Sequence, residues 1–185
     1  MRLLVRIFLF FALLTNCTSK NNQKNTTTMD TNKSNNPVYS KTDSSKVVLN
    51  NEEWKKVLSP EVYNVARQKG TERPFTSPFE TLKDVGTYYC AVCGNALFKS
   101  DTKFESGCGW PSFYEPISKG SIIYLPDNTL GMSRTEVECG RCKSHLGHVF
   151  EDGPPPTGLR YCINGVVLDF EKAKEAEKKY DENKK

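Results

Sequence analysis

The sequence predicts a mainly β domain with short helices at its N-terminal end and a zinc site that clips two parts of the chain together. Three observations carry this prediction. Helical periodicity is confined to the region before residue 70. Short runs rich in aromatic and β-branched residues follow, separated by turn residues. Two C-x-x-C motifs lie within those runs.

Two short helices are predicted where the domain begins. Asn50 or Asn51 can cap a helix over 52–58, because acidic residues occupy its first turn. A second helix starts at the Ser-Pro-Glu sequence headed by Ser59, since serine suits the N-cap and proline the first helical position. Gly70 ends this helix.

Short antiparallel strands are predicted after Arg73, where the helical period disappears. The final segment, 171–185, is charged and favours helix, so we expect a solvated helical tail. The runs predicted as strands are GTYYCAV (86–92), ALFKS (96–100), SIIYLP (121–126), EVEC (136–139), HVFED (148–152), LRYCI (159–163) and VVLDF (166–170).

The first 17 residues have the pattern of a secretory signal. Two arginines precede an apolar run from Ile7 to Leu14, which is short for a membrane span. The ending LLTNC resembles a bacterial lipoprotein processing site, in which the cysteine, here Cys17, carries the lipid. Asn16 departs from the very small residue that such sites prefer. An ordinary cleaved signal and an uncleaved anchor are the alternatives.

The next segment, 18–46, consists almost entirely of polar residues and cannot bury enough apolar surface to fold. It is therefore interpreted as a flexible linker between a membrane and a folded domain over 47–170. These features together predict a monomeric protein that is exported to the cell envelope of a bacterium and held at the membrane by a lipid.

The charge distribution argues against a nucleic-acid partner. The chain of 185 residues has a formal net charge of +4. Its basic excess lies in the first 46 residues, because 47–185 contain 19 basic and 20 acidic residues. A neutral domain lacks the electrostatic basis for binding nucleic acid.

The two C-x-x-C motifs predict a structural zinc site, because four thiolates complete a tetrahedral coordination sphere. Gly94 and Gly140 suit the tight turns of such motifs. In an exported protein the four cysteines can instead form two disulfides, and one motif can be a thioredoxin-like redox pair. The four cysteines are Cys90, Cys93, Cys139 and Cys142.

Two further cysteines, Cys108 and Cys162, are left as candidate reactive thiols. Strand alternation places Cys162 on the polar face, with Arg160 and Asn164 on either side. A nearby cation lowers a thiol pKa, so this position favours a reactive thiolate over a small core residue. Cys108 lies between two glycines, where it can resolve an oxidised nucleophile by disulfide formation or be incidental to the turn.

Three other side chains are candidates for the same site. Trp110 follows Cys108 closely and can offer a flat wall to a small apolar group, although tryptophan is more often a core residue. His145 and His148 can protonate an oxygen near neutral pH or, given the nearby Cys142, bind the zinc.

Taken together, these motifs closely resemble the B-type methionine sulfoxide reductases. The resemblance runs from about Leu58 to Phe170 and rests on six motifs that occur in the family's order. It implies two antiparallel sheets with peripheral N-terminal helices, and a zinc held by the four cysteines. The motifs are TERPFTSPF, CAVCG, DTKFESGCGWPSFYEPI, CGRC, HLGHVFEDGP and GLRYCING.

The resemblance also implies a reaction, the reduction of the R epimer of methionine S-oxide, mainly in proteins. Cys162 matches the family's nucleophile, and Cys108 matches its resolving thiol, which some members lack. Trp110 would wall the pocket for the substrate methyl group. His145, His148, Arg160 and Asn164 would organise the site around the sulfoxide oxygen, and Asp152 matches a position near it.

The implied reductant is a thioredoxin-like dithiol, and no organic cofactor is expected. Because a cytosolic reductant cannot reach a lipoprotein, a membrane relay or an envelope thioredoxin is required. Two other interpretations remain: a lipid-anchored, zinc-ribbon-like binding module, and a thiol–disulfide oxidoreductase. Methionine sulfoxide turnover distinguishes both from a reductase, since neither needs to reduce it.

Overall fold

The computed structural model describes residues 36–173, which form two antiparallel sheets and two short helices. This confirms the predicted mainly β architecture. The predicted signal with Cys17, the linker up to residue 35 and the tail from residue 174 lie outside the described residues. No helix within 36–173 is both long enough and apolar enough to cross a membrane.

The two helices lie where the sequence predicts them and are fixed by their caps. Helix α1 is Asn51–Val57, and Asn50 caps it in a reciprocal capping box with Glu53. Helix α2 is Pro60–Gln68, and the Ser59 side chain accepts a hydrogen bond from the backbone of its first turn. Both helices bury apolar residues against the sheets, so they are peripheral but packed.

A three-stranded sheet contains β1 (Gly86–Cys90), β2 (Ala96–Lys99) and β9 (Leu168–Lys172). Its strand order is β2-β1-β9, and each neighbouring pair is antiparallel. The chain therefore returns at its C-terminal end to pair with the first strand of the domain.

A six-stranded sheet has the strand order β3-β4-β8-β7-β6-β5. Its neighbouring strands are all antiparallel. The strands are β3 (Lys103–Phe104), β4 (Ser112–Phe113), β5 (Ile122–Asp127), β6 (Arg134–Cys139), β7 (His145–Phe150) and β8 (Arg160–Ile163).

The two sheets pack through aromatic side chains. Phe98 of the small sheet stacks on Phe113 of the large sheet, with ring centroids 4.3 Å apart. Tyr88 meets Phe113 edge-on, and Tyr161 packs against Phe98. All four residues are fully or almost fully buried, so this cluster forms the centre of the core.

Two differences from the sequence prediction concern the strands. The two-residue strands β3 and β4 were missed, because they are too short to show an alternating pattern. Glu171 and Lys172, placed in the helical tail by their charge, belong to β9 and pair with β1. Tertiary pairing overrides their helix propensity at this position.

A third difference concerns residues 36–46, which the sequence analysis assigned to the flexible linker. We call this segment the N-terminal strap, because it lies across both C-x-x-C motifs. Asn36 Nδ2 donates to the Val92 carbonyl at 2.7 Å, and the Ser40 amide donates to the Cys93 carbonyl at 3.0 Å. The folded unit therefore begins before Val47.

Arg141 explains why a polar segment packs here. Its side chain is buried and donates to the backbone carbonyls of Val38, Ser40 and Ser45 in the strap, and to that of Cys93. A buried guanidinium needs several acceptors. The composition of the strap gave no sign of this role, because three of its four contacts with Arg141 are made by backbone carbonyls and the fourth by the Asp43 carboxylate, at 2.8 Å.

We predict that removing the strap destabilises the domain by about 3 kcal/mol, since the buried Arg141 loses charge-assisted hydrogen bonds. Urea unfolding of a fragment that begins at Val47 measures the change. A fragment that begins at Asn36 is the matched control. Equal unfolding midpoints and slopes for the two fragments would show that the strap contributes nothing to stability.

Candidate active site and metal centre

The four cysteines of the two C-x-x-C motifs form one buried cluster. Cys90 ends β1 in the small sheet, and Cys139 ends β6 in the large sheet, so the cluster joins the two sheets. The Sγ atoms of Cys90 and Cys142 are 3.8 Å apart, and those of Cys93 and Cys139 are 3.6 Å apart. All four sulfurs lie within 4.8 Å of one another.

These distances fit a tetrahedral metal. With metal–sulfur bonds of about 2.3 Å, a tetrahedral zinc site has sulfur–sulfur edges of about 3.8 Å. The four cysteines are free thiols rather than disulfide-bonded pairs. The cluster can therefore hold zinc, and four thiolates would leave the metal no open position for catalysis.

The two motifs form similar turns, but Gly94 and Gly140, both predicted to serve these turns, occupy different positions in them. The amide after the second cysteine of each motif, in Gly94 and Lys143, donates back to the first cysteine's carbonyl. Both residues have positive φ, 79° and 57°. Gly140 occupies a different position, where a Cβ atom would lie 2.1 Å from the Gly120 carbonyl oxygen. Close packing, rather than the turn, thus requires glycine at position 140.

Cys162 lies at a separate site, where it lines a cavity of about 150 Å³. This volume is smaller than the roughly 300–1,000 Å³ of pockets for drug-sized ligands, so the cavity suits a single side chain. Four predicted site residues line it, whereas Cys108, His145, Arg160 and Asp152 do not. The lining residues are Thr71, Trp110, Arg134, Gly147, His148, Phe150, Cys162 and Asn164.

Strand register places the reactive groups side by side. Cys162 in β8 pairs with Ser112 in β4 on one side and with His148 in β7 on the other. Directly paired residues project from the same face of a sheet. The thiol, the hydroxyl and the imidazole therefore share one face, while Tyr161 and Ile163 face the core, as strand alternation predicted.

Cys108 lies in the loop before β4 and contacts Ser112 and Cys162. Its Sγ lies 3.5 Å from the Cys162 Sγ, so the two thiols are in contact. Burial opposes a charge on Cys108, but hydrogen bonds from Ser106 and Ser112 outweigh it and lower the pKa of Cys108 to about 7. A substantial fraction of Cys108 is therefore thiolate at neutral pH.

The pKa of Cys162 is raised, whereas the sequence predicted that the neighbouring cation would lower it. Burial and the neighbouring Cys108 raise the pKa of Cys162 to about 12, and Arg160 only partly opposes this effect. The cation identified from sequence acts in the expected direction but is outweighed. In the resting reduced protein Cys162 is therefore a neutral thiol.

Arg160 and Asp152 form a two-pronged ion pair beside the cavity. The Nε and Nη2 atoms of Arg160 each donate to an Asp152 carboxylate oxygen at 2.8 Å. The guanidinium lies over the ring of Phe150, with its carbon 4.5 Å from the ring centroid. Since Phe150 lines the cavity, the pair supports the wall from behind.

His148 is held by Asp127, which the sequence analysis missed. The His148 Nε2 and an Asp127 carboxylate oxygen are 2.7 Å apart, and Arg134 donates to the same oxygen at 2.6 Å. Hydrogen bonds from Thr129, and then from His148, hold the pKa of Asp127 well below its usual range. An ionised carboxylate accepts, so Nε2 carries a proton and Nδ1 is left for other contacts.

His145 is placed differently from His148. It is 3% exposed, and its Nδ1 lies 2.7 Å from a Glu136 carboxylate oxygen. Burial lowers the pKa of His145, although Glu136 opposes the change. The two imidazole centroids are 5.5 Å apart, so His145 packs behind His148 rather than in the cavity.

Glu72, also missed, ties Trp110 and Asn164 together. Its carbonyl accepts from Trp110 Nε1 at 3.2 Å, and its amide donates to Asn164 Oδ1 at 3.0 Å. Its carboxylate accepts from the amides of Gly165 and Val166. Both polar ends of the Asn164 side chain are engaged, since Nδ2 donates to the Leu146 carbonyl. Glu72 lies in the TERPF motif, but nothing in that motif indicated these contacts.

Comparison with known proteins identifies the relatives of this chain. Residues 58–172 match the SelR domain family. A Pseudomonas putida strain W619 protein is 61% identical over 119 residues, covering 64% of this chain and 90% of its own length. A Methanosarcina mazei protein is 58% identical over 134 residues, covering 72% of this chain and 96% of its own length. Both are named peptide methionine sulfoxide reductase MsrB.

We predict one zinc per chain and unfolding when it is removed. Structural zinc contributes about 10–16 kcal/mol of binding energy, more than the net stability of most domains. Metal analysis and circular dichroism during chelation measure this, with Cys93→Ser expected to lose the metal and Cys108→Ser to retain it. A metal-free preparation that keeps its native spectrum would contradict the prediction.

Proposed function

The chain belongs to the SelR-domain family of methionine sulfoxide reductases, and we propose that it reduces methionine (R)-S-oxide in proteins by thiolate attack from Cys162. One observation supports this most strongly. Cys162 lies in a cavity for one side chain, beside Trp110 and His148, with the Cys108 sulfur 3.5 Å behind it.

In the first step the Cys162 sulfur attacks the sulfoxide sulfur, with Trp110 as the wall for the substrate methyl group. The sulfoxide oxygen is transferred to Cys162, which becomes a sulfenic acid, and methionine is released. Both substrate and resting thiol are neutral, so the Cys162 proton balances the one that the oxygen gains. Arg160 favours the transient thiolate.

We assign proton transfer to His148 rather than His145. His148 lines the cavity, and Asp127 holds its Nε2, so Nδ1 remains available. His145, Asn164 and Asp152 are assigned to support of the walls, since His145 Nδ1 contacts Glu136, Asn164 donates to Leu146, and Asp152 holds Arg160.

In the second step Cys108 attacks the Cys162 sulfur of the sulfenic acid. A disulfide forms between them, and the hydroxyl group leaves with a proton as water. A thioredoxin-like dithiol then reduces the disulfide and is itself oxidised. The four clustered cysteines would hold a zinc with four thiolate ligands, which would stabilise the fold and leave these steps to the two other thiols.

We also propose an envelope location for this enzyme. The support is the signal pattern of residues 1–17, which ends at Cys17 as the lipidated residue, and the polar composition of the segment that follows. The substrates would be oxidised envelope proteins, and the reductant an envelope thioredoxin or a membrane relay.

The proposed reaction predicts reduction of the R epimer only. A fragment that begins at Asn36, loaded with zinc, is given the separated R and S epimers of a methionine sulfoxide peptide with dithiothreitol. Chromatography measures methionine formation. Reduction of neither epimer by a folded sample would overturn the proposal and favour a binding module.

The two thiols have separable effects. Cys162→Ser is expected to abolish methionine formation, because the attacking sulfur is lost. Cys108→Ser is expected to form about one methionine per chain with a thioredoxin as reductant, because the sulfenic acid is not resolved. Wild-type turnover by Cys162→Ser, or sustained turnover by Cys108→Ser with thioredoxin, would show that the roles are misassigned.

A further inference from the structure

Two serine hydroxyls contact the Cys108 sulfur, which also contacts the Cys162 sulfur, and the reaction as described gives the hydroxyls no role. Ser106 Oγ donates to the Cys108 sulfur at 3.0 Å, and Ser112 Oγ lies 3.4 Å from the same sulfur. The two hydroxyls are 2.7 Å apart. The Cys108 sulfur is therefore held between two hydroxyls and the thiol that it would join.

We propose that Ser106 and Ser112 are positioning residues for disulfide formation, which hold Cys108 as a thiolate against Cys162. This inference rests on the proposed function and assigns a further part of its second step. Neither serine lines the substrate cavity, whereas both contact the Cys108 sulfur, so we place their action on Cys108.

The fold positions both Ser112, in strand β4, and the loop that carries Cys108. Ser112 is 1% exposed and pairs in register with Cys162, so its hydroxyl projects beside the nucleophile. The loop that carries Cys108 returns over it through Gly107 and Gly109, whose φ values are 71° and 92°. At Gly109 a Cβ atom would lie 2.6 Å from the Pro74 side chain, so this turn of the loop is also closely packed.

The two serine hydroxyls can change their hydrogen-bond partners when the charge on the Cys108 sulfur changes. Each serine hydroxyl carries one proton, and Ser112 has a second acceptor in the Trp110 carbonyl at 3.1 Å. With a thiolate at Cys108, Ser106 donates to the sulfur and Ser112 donates to the Ser106 oxygen, because the 2.7 Å contact between the hydroxyls needs one of the two protons. The hydrogen bond to the sulfur is strengthened by the negative charge. Once the disulfide removes the charge, Ser112 can turn to Trp110 without becoming unpaired.

The chemical consequence lies in the second step. The Cys108 thiolate attacks the sulfenic sulfur of Cys162, the S–O bond breaks, and the departing hydroxide takes a proton to become water. The step therefore requires Cys108 without its proton. The lowered pKa of Cys108 agrees with the contacts that the two hydroxyls make.

The pH dependence of Cys108 tests the proposal in the full chain. Ser106→Ala and Ser112→Ala are each compared with wild type, with Ser100→Ala as a control whose hydroxyl accepts from the Gly86 amide instead of contacting a thiol. Iodoacetamide alkylation of the Cys108 peptide, followed by mass spectrometry, gives its apparent pKa. Loss of one hydrogen bond that supports the thiolate is expected to raise it by about one unit, and Ser106→Thr, which keeps the hydroxyl, is expected to restore the wild-type profile.

Single-turnover disulfide formation gives the second measurement. At pH 6 each alanine variant has about tenfold less thiolate, partly offset by a thiolate about threefold more nucleophilic, so we expect about threefold slower formation. At pH 9 the thiol is ionised in both proteins, and the variants should be no slower than wild type. Methionine formed per chain, which precedes this step, should not change.

Three outcomes would overturn the proposal. An unchanged Cys108 alkylation profile with normal disulfide formation would show that the serines do not act on the thiol. Equal slowing at pH 6 and pH 9 would indicate a merely structural role. A wild-type chain that forms no methionine would instead refute the proposed function, and with it the step assigned to the serines.

Discussion

The register of three adjacent antiparallel strands determines the chemistry that this domain can perform. Ser112, Cys162 and His148 are direct cross-strand partners in β4, β8 and β7. A slip of one residue would turn Cys162 into the core and Tyr161 into the cavity. The aromatic cluster of Phe98, Phe113 and Tyr161 opposes such a slip, because it fills the space between the sheets from the other face.

The four-cysteine cluster and the strap connect the two sheets. The small sheet reaches the cluster through Cys90 and the large sheet through Cys139. Arg141 lies between the two cysteines of the second motif and binds the strap, so the segment before the domain is coupled to the cluster. Among the described residues, those that line the Cys162 cavity include none from the strap or the two C-x-x-C motifs. The four clustered cysteines and the two contacting thiols thus form separate sites.

The sequence predicted the cysteine cluster, both helix caps, most of the strands and the face of Cys162, because each depends on local pattern or spacing. It missed what depends on contacts distant in sequence. Asp127 and Glu72 act through partners about 20 to more than 90 residues away, and no local pattern distinguishes them from surface acids. The strap was misassigned because most of its contacts with Arg141 are made by backbone carbonyls, and the one carboxylate contact, from Asp43, joins residues 98 positions apart. The pKa of Cys162 depends on burial, which spacing does not show.

In the proposed mechanism, one turnover joins the two thiols that lie 3.5 Å apart. The most direct test is the intact mass and peptide map of the zinc-loaded chain after one equivalent of methionine (R)-S-oxide peptide, without reductant. The proposed mechanism predicts one methionine per chain, a loss of two hydrogen atoms and a Cys108–Cys162 linkage. A chain that forms methionine but links cysteines of the metal cluster, or that forms no disulfide, would contradict it.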